Sequence, residues 1–233
     1  MTNLAPIFVR PRFALPKRRT ALGFTLVELL IVVAILAVCL SMMRPTVAGL
    51  VVGQQVTRAA NELSMLIEYA RTQATSRQTY TWVLFGSGKG FGGEDRLFAV
   101  VVASLDGTPN FSADNILEVS RKLSFENVVL ADAHSLNSRT QAMLPEGARG
   151  VQVASSTPGV RHQLAGIVFS QGFAFTPRGE AMVNASVGET AGFDRMIDIG
   201  LRLTRGGRPP DLDADDAAVV LFGSSGRVLV VRL

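Results

Sequence analysis

The stretch Gly23-Phe24-Thr25-Leu26-Val27-Glu28, which opens the run GFTLVELLIVVAILAVCL from Gly23 to Leu40, decides how the rest of the chain is read. It sets one carboxylate, Glu28, among apolar side chains in a segment otherwise suited to a bilayer. A charge there is costly unless it is paired, so an acidic residue in such a segment marks function by default. Upstream, Met1 to Gly23 carries Arg10, Arg12, Lys17, Arg18 and Arg19 and no acidic residue. Taking these five from the 23 basic residues leaves 18 against 19 acidic ones, so the net charge of +4 belongs to the N-terminal segment. By the positive-inside rule such a cluster keeps the N-terminus cytoplasmic and sends the bulk of the chain across the membrane. It does not by itself argue for nucleic acid.

The apolar segment runs from Phe24 to Met43, twenty residues, or about 30 Å of helix, the thickness of a hydrocarbon core. Arg44 and Pro45 close it, and Pro45 is expected to kink a helix that continues beyond it. Val47, Leu50, Val51, Val56, Ala59, Leu63, Leu66, Ile67, Ala70 and Ala74 recur mostly at steps of three and four, with Arg58, Glu62, Glu68 and Arg71 largely between them. That is an amphipathic helix reaching about Arg77. Its apolar stripe requires cover from the residues C-terminal to it. The single cysteine, Cys39, lies in the apolar segment, so the core forms without an intrachain disulfide.

The remainder reads as β-rich. Tyr80 to Phe85 is aromatic and β-branched, Leu97 to Ala103 is a continuous apolar run, and Ile197, Ile199, Leu201 and Leu203 alternate with Asp198, Gly200, Arg202 and Thr204. GSGKGFGGEDR between the first two reads as a hairpin loop. Ala218 to Phe222 and Val228 to Leu233 flank Gly223-Ser224-Ser225-Gly226 as a closing hairpin. Val128 to Leu130, Val151 to Val153 and Ile167 to Phe169 are shorter strand candidates, and Asp106 to Gln163 is the least patterned region.

Lys17, Arg18 and Arg19 followed by Gly23 to Glu28 resemble the type IV prepilin cleavage and methylation signal. The resemblance implies a prepilin peptidase that cuts after Gly23 and methylates the new terminus at Phe24, with Glu28 pairing with the terminus of a neighbouring subunit during assembly. A helix covered by antiparallel sheet is the layout of pilins and pseudopilins. YARTQATSRQ, IVFSQGFAFTPRGEA and VVLFGSSGRVLVVRL are similar to the GspH/FimT-type minor pseudopilins, through Ala70, Arg71, Phe169, Gly172, Gly226, Arg227 and Val228. The implied fold is α+β and pilin-like, a long N-terminal helix packed on an antiparallel β-sheet domain. Its organisation is a leader at 1–23, a transmembrane and assembly helix at 24–43, an amphipathic continuation at 44–77 and a β-rich periplasmic domain at 78–233.

The expected role is therefore a minor pseudopilin or minor pilin of a secretion pseudopilus or type IV pilus. It would be a single-pass inner-membrane protein with other pilins, the peptidase and membrane lipid as partners. The alternative is a DNA-binding minor pilin of an uptake system. Arg202, Arg205 and Arg208 around Gly206 and Gly207 are its candidate contacts. Against it, the residues after Arg44 hold 17 basic and 18 acidic groups. An ordinary signal peptide would show a small-residue cleavage site after its apolar region, where this chain has CLSMMRP. A twin-arginine signal read into Arg18 and Arg19 fails in the same way, and a plain anchor leaves Gly23 and Glu28 unexplained.

No catalytic constellation or cofactor site emerges. In GSGKGFGG, Lys89 is followed by Gly90 rather than Ser or Thr, and a strand comes next where a phosphate loop needs a helix. His134 and His162 are isolated, which disfavours zinc, and GSSGR lacks the spacing of a nucleophile elbow. Asp211, Asp213, Asp215 and Asp216 suggest a calcium loop. The glycine after the third Asp is missing, and Phe222 stands where the closing Glu belongs, so a solvated acidic turn is the better reading.

Overall fold

The computed structural model describes residues 25–90, 93–145, 151–153, 162–164, 166–183, 194–204 and 216–232, without the side chains of 41–53, 151, 152 and 162. The chain divides into two compact units, Met1–Pro45 and Thr46–Leu233. Helix α1, Leu26–Arg77, contributes to both. Gly23, Phe24, Arg205, Arg208, Asp211, Asp213 and Asp215 lie outside the described residues. Pro45 falls within the span of α1, and the kink expected there belongs to residues whose side chains lie outside those described.

In the first unit the described residues are Thr25 and the first part of α1. Every Leu, Ile and Val from Leu26 to Leu40 is exposed, from 49% at Val32 to 81% at Leu26. Among the described residues no helix is long and apolar enough to cross a membrane. The fifteen from Leu26 to Leu40 span about 22 Å against about 30 Å of hydrocarbon. The last residues of the expected span, Ser41 to Met43, are among those whose side chains are not described.

In the second unit the remainder of α1 is followed by β1 (Thr81–Lys89), β2 (Asp95–Ser104), β3 (Ile116–Glu118), β4 (Leu123–Glu126) and β5 (Val128–Ala131). A 3₁₀ turn, Ala133–Ser135, and the short helix α2, Ser138–Ala142, come next. Then come β6 (Val151–Gln152), β7 (His162–Leu164), β8 (Ile167–Phe175), β9 (Ala181–Met182), β10 (Met196–Leu203), β11 (Asp216–Phe222) and β12 (Arg227–Arg232). One sheet has the order β3-β2-β1-β8-β7, with β4 also on β2 and β9 also on β8. The other has the order β12-β11-β10-β5, with β6 also on β10. These pairings are antiparallel except that of β6, which runs parallel to β10 with Val151 beside Ile197.

One hydrophobic cluster joins α1 to both sheets. Val56, Ala59, Ala60, Leu63, Ile67, Ala70 and Ala74 supply the helix stripe, against Val83, Phe85, Phe173 and Phe175 of the first sheet and Ile197, Ile199, Leu201 and Val219 of the second. Of the stripe expected from steps of three and four, the positions from Val56 to Ala74 are buried, and Val47, Leu50 and Val51 are among the residues whose side chains are not described. Each Val, Leu, Ile or Phe among them contributes about 1.5–3 kcal/mol by leaving water. The helix stops at a left-handed residue, Gln78 with φ 53°. Past it, the Thr79 backbone N–H reaches back to the Ala74 carbonyl at 3.1 Å, the bond that closes a Schellman end.

The first sheet is apolar on both faces. Trp82, Leu84, Phe98, Val100, Val102 and Phe169 form a second cluster, with Phe111 from the β2–β3 connection packed against it. Strands buried on both sides lose the period-two alternation, which is why Leu97 to Ala103 reads as an unbroken run. β8 extends to Phe175, well past the short segment expected at Ile167 to Phe169, because it pairs with β1 along its length.

One sequence expectation is corrected. The glycine-rich hairpin is mostly ladder, since Ser87, Gly88 and Lys89 pair with Leu97, Arg96 and Asp95 and the turn shrinks to the residues around Gly90 and Glu94. The alternation in β10, ordinarily the mark of one wet face, has both faces covered, with Asp198 at 2% exposure and Gly200 buried. The segment Ala133 to Leu144 lies over that face, joining Ala133, Leu136 and Leu144 to Met196, Ala218 and Val220.

Candidate functional site

The candidate site begins where the helix begins. Thr25 precedes the first helical residue, Leu26, and Glu28 is the acidic residue of the first turn. The Thr25 hydroxyl accepts from the Glu28 backbone N–H at 3.2 Å. In return the Glu28 Oε2 atom accepts from the Thr25 backbone N–H and from its hydroxyl, each at 3.4 Å. This is a capping box, in which two of the unpaired donors at a helix start are satisfied reciprocally. The carboxylate also sits at the positive end of the helix dipole, where a negative charge is favoured.

Read from sequence, Glu28 is a charge awaiting a partner, and that reading passes over its nearest one. The signal is present as Thr-x-x-Glu ahead of an apolar run. The two bonds at 3.4 Å lie beyond the usual range for N–H and O–H donors. They hold the carboxylate weakly, and a stronger donor can displace them. Around this site the exposed apolar side chains of Leu26 to Leu40 surround the helix on all sides. Cys39 is exposed on the same segment. A helix apolar all round requires a dry environment, which a bilayer or other helices supply.

The other candidate residues are dispersed through the second unit or lie outside the described residues. Arg202 is committed within the fold: its Nε lies 3.6 Å from Asp216 Oδ2, and Nη2 donates to the Ser135 carbonyl. Arg205 and Arg208, the other candidate nucleic-acid contacts, and Asp211, Asp213 and Asp215, the candidate calcium ligands, lie outside the described residues. Among the described residues no group of three or more His, Cys, Asp or Glu could hold a metal ion. Lys89 is ion-paired with Asp95 across the β1–β2 ladder. His134 is 37% exposed, and its Nε2 lies 3.5 Å from Asp198 Oδ2, a pairing that sequence spacing did not reveal.

Of the residues quoted for the minor-pseudopilin resemblance, Arg71 and Gly226 meet in space. Arg71 on α1 lies against two hairpin turns, Gly179 between β8 and β9 and Gly226 between β11 and β12. Gly226 has φ +63°, and a Cβ there would stand 2.5 Å from Arg71 Nε and 2.9 Å from the Gly179 carbonyl oxygen. That Nε is buried without a hydrogen-bond partner among the described residues. Gly172 on β8 lets the β1 backbone approach, since a Cβ there would lie 2.4 Å from the Val83 carbonyl oxygen. Ala70 and Phe169 are fully buried. Arg71 thus ties the helix to a turn of each sheet, and its contribution is to the fold.

Comparison with known families agrees with the helix start. Residues 18–43 match the model of the prokaryotic N-terminal methylation motif. No curated protein matches the chain, and no solved structure does. The matched segment contains Gly23, Phe24, Thr25 and Glu28 together with the exposed apolar helix, and the α+β architecture beyond it is compatible with a pilin-like fold. The methylation motif indicates a type IV pilin- or pseudopilin-like protein that is processed by a prepilin peptidase and assembles with other pilins.

Proposed function

We propose that the chain is a minor pilin or pseudopilin, a structural and non-catalytic subunit of a secretion pseudopilus or type IV pilus. The observation that carries this reading is the pairing of the methylation motif with a helix whose apolar side chains are uncovered from Leu26 to Leu40. Before cleavage the first 23 residues stay in the cytoplasm, the apolar helix lies in the inner membrane and the second unit lies in the periplasm. Cleavage after Gly23 creates an ammonium at Phe24, four residues ahead of Glu28. On assembly the ammonium of a neighbouring subunit displaces the long Thr25 bonds and takes the carboxylate in a charge-assisted hydrogen bond. In a dry filament core that pair fixes the register between subunits.

The minor role rests on the similarity to GspH/FimT-type subunits and on the meeting of Arg71 with Gly226. The test is quantitative mass spectrometry of sheared filaments from cells carrying the native chain or Glu28→Ala. Recovery far below the major subunit, lost in Glu28→Ala while leader removal continues, supports the reading. Recovery equal to the major subunit removes the minor role, and incorporation unchanged in Glu28→Ala removes the role given to the carboxylate. The DNA-binding alternative gains no support from Arg202, whose guanidinium is held by Asp216 and Ser135.

A further inference from the structure

The two sheets are closed off differently at their edges. Among the described residues the strands with a neighbour on one side only are β3, β4, β7 and β9 in the first sheet and β5, β6 and β12 in the second. All but β12 hold two to four residues, and a very short edge strand is one way a sheet avoids pairing with another chain. β12 holds six, and it pairs with β11 along its whole length, from Phe222 beside Arg227 to Ala217 beside Arg232. An antiparallel ladder uses half of a strand's N–H and C=O groups on one side and turns the rest outward. No described strand takes those of β12. Its side chains are those of an interior strand: Val228 and Val230 pack with the cluster that includes α1, and Leu229 and Val231 pack with Ala218 and Val220 on the opposite face. Val228, Leu229 and Val230 nonetheless keep part of their surface. No proline, bulge or inward charge guards the strand, and its two charges, Arg227 and Arg232, stand exposed at its ends.

We propose that β12 is a docking edge to which a different pilin subunit adds an extended apolar segment with a carboxylate at each end. The proposal rests on the assembly with other pilins that the methylation motif indicates. Main-chain hydrogen bonds to the outward groups of β12 supply affinity, and side chains at alternate positions supply selectivity. Val228 and Val230 on one face and Leu229 on the other gain apolar neighbours from an added strand, through the cross-strand pairs that stabilise a sheet. The charges choose the partner. A second copy of β12, fully paired, sets Arg227 against Arg232 in the antiparallel sense and each arginine against its own equivalent in the parallel sense. Like charges directly opposite one another are unfavourable. A segment with Asp or Glu at its two ends meets both guanidinium groups instead. Arg232 already donates to the Thr57 hydroxyl at 2.6 Å through Nη1, which occupies one donor of its fork and leaves others for a carboxylate.

The test uses the full chain in detergent and a synthetic peptide of alternating valine and threonine with one aspartate at each end, followed by fluorescence anisotropy and by hydrogen exchange. The peptide is expected to bind, to slow exchange in Arg227 to Arg232 and to leave β2 level. Two further peptides are N-methylated at alternate residues in opposite phase. The one methylated at the residues facing β12 should lose binding and the other should keep it, because a ladder uses every second N–H. Arg227→Glu should weaken the aspartate-ended peptide by about two- to five-fold and favour a lysine-ended one. If Arg227→Glu fails to fold, the N-methylated pair decides on the native chain. Absence of binding, or binding indifferent to both methylation patterns, overturns the proposal. So does full protection of β12 in the chain alone, which places the chain's own residues on the edge, or protection that rises with chain concentration, which places a second copy there. Leader cleavage and filament recovery play no part in this measurement, so its failure leaves the assembly reading standing.

Discussion

The two halves of helix α1 share one secondary structure and differ in what covers them. From Val56 to Ala74 the apolar stripe of Val56, Ala59, Leu63, Leu66, Ile67, Ala70 and Ala74 sits at steps of three and four and is packed in one cluster with two sheets of the same chain. From Leu26 to Leu40 they ring the helix and are exposed. The first arrangement is solved within the molecule, and the second is solved only by a bilayer or by other subunits. Function therefore resides where the fold leaves work undone, and the Thr25 and Glu28 capping box sits at the head of that half.

Substitutions in the two halves put that contrast at risk. Leu63→Ala, at a fully buried position, should destabilise the second unit by about 2–5 kcal/mol. Leu36→Ala, at an exposed one, should move the same denaturant midpoint by less than about 0.5 kcal/mol. Equal effects would erase the distinction. Gly226→Ala forces a side chain into a left-handed position against Arg71 and should cost about 1–3 kcal/mol. Arg71→Ala in the same background should recover part of that loss in a double-mutant cycle.

Thr25→Ala removes the cap at the uncovered half and should cost the helix start about 0.5–1 kcal/mol. Faster amide exchange at Val27 and Glu28, with no change in the midpoint of the second unit, is the expected signature. The most local effect concerns Asp106, in the β2–β3 connection. Its carboxyl is held well below the usual carboxylate range, first by the Thr108 backbone N–H and then by the Thr108 hydroxyl, with Ser104 and Asn115 adding and desolvation opposing. A depressed value contributes stability above the unfolded carboxylate pKa of about 3.9 that is lost as pH falls below it. Exchange in Leu105 to Asn115 should therefore quicken toward acid.

The legible parts of the fold were those with strong periodicity. The part of the helix stripe from Val56 to Ala74, β2, β10 and the closing hairpin stand where their patterns place them. Short strands such as β3, β7 and β9 carry too few residues for a period to show, and their positions are set by the long strands they pair with. The burial of Asp198 was hidden for another reason, since alternation records which residues differ and not whether a segment distant in sequence covers the polar side. At the candidate site, Gly23, Phe24 and Glu28 were readable as a signal because charge, residue type and apolar length agree along one stretch. Glu28's local partner was also readable, in the spacing from Thr25. The His134 and Asp198 pair, 64 positions apart in sequence, depended on tertiary packing that no local pattern encodes.

The functional reading stands on the first 23 residues being a leader removed by a prepilin peptidase. Intact-mass analysis of the full chain expressed with and without such a peptidase, alongside Gly23→Val and Glu28→Ala, measures that removal itself. The expected result is peptidase-dependent loss of Met1 to Gly23 with one methyl added at Phe24, abolished by Gly23→Val and retained in Glu28→Ala. A chain that keeps its full length with the peptidase present, or is cut after the apolar segment, would contradict it.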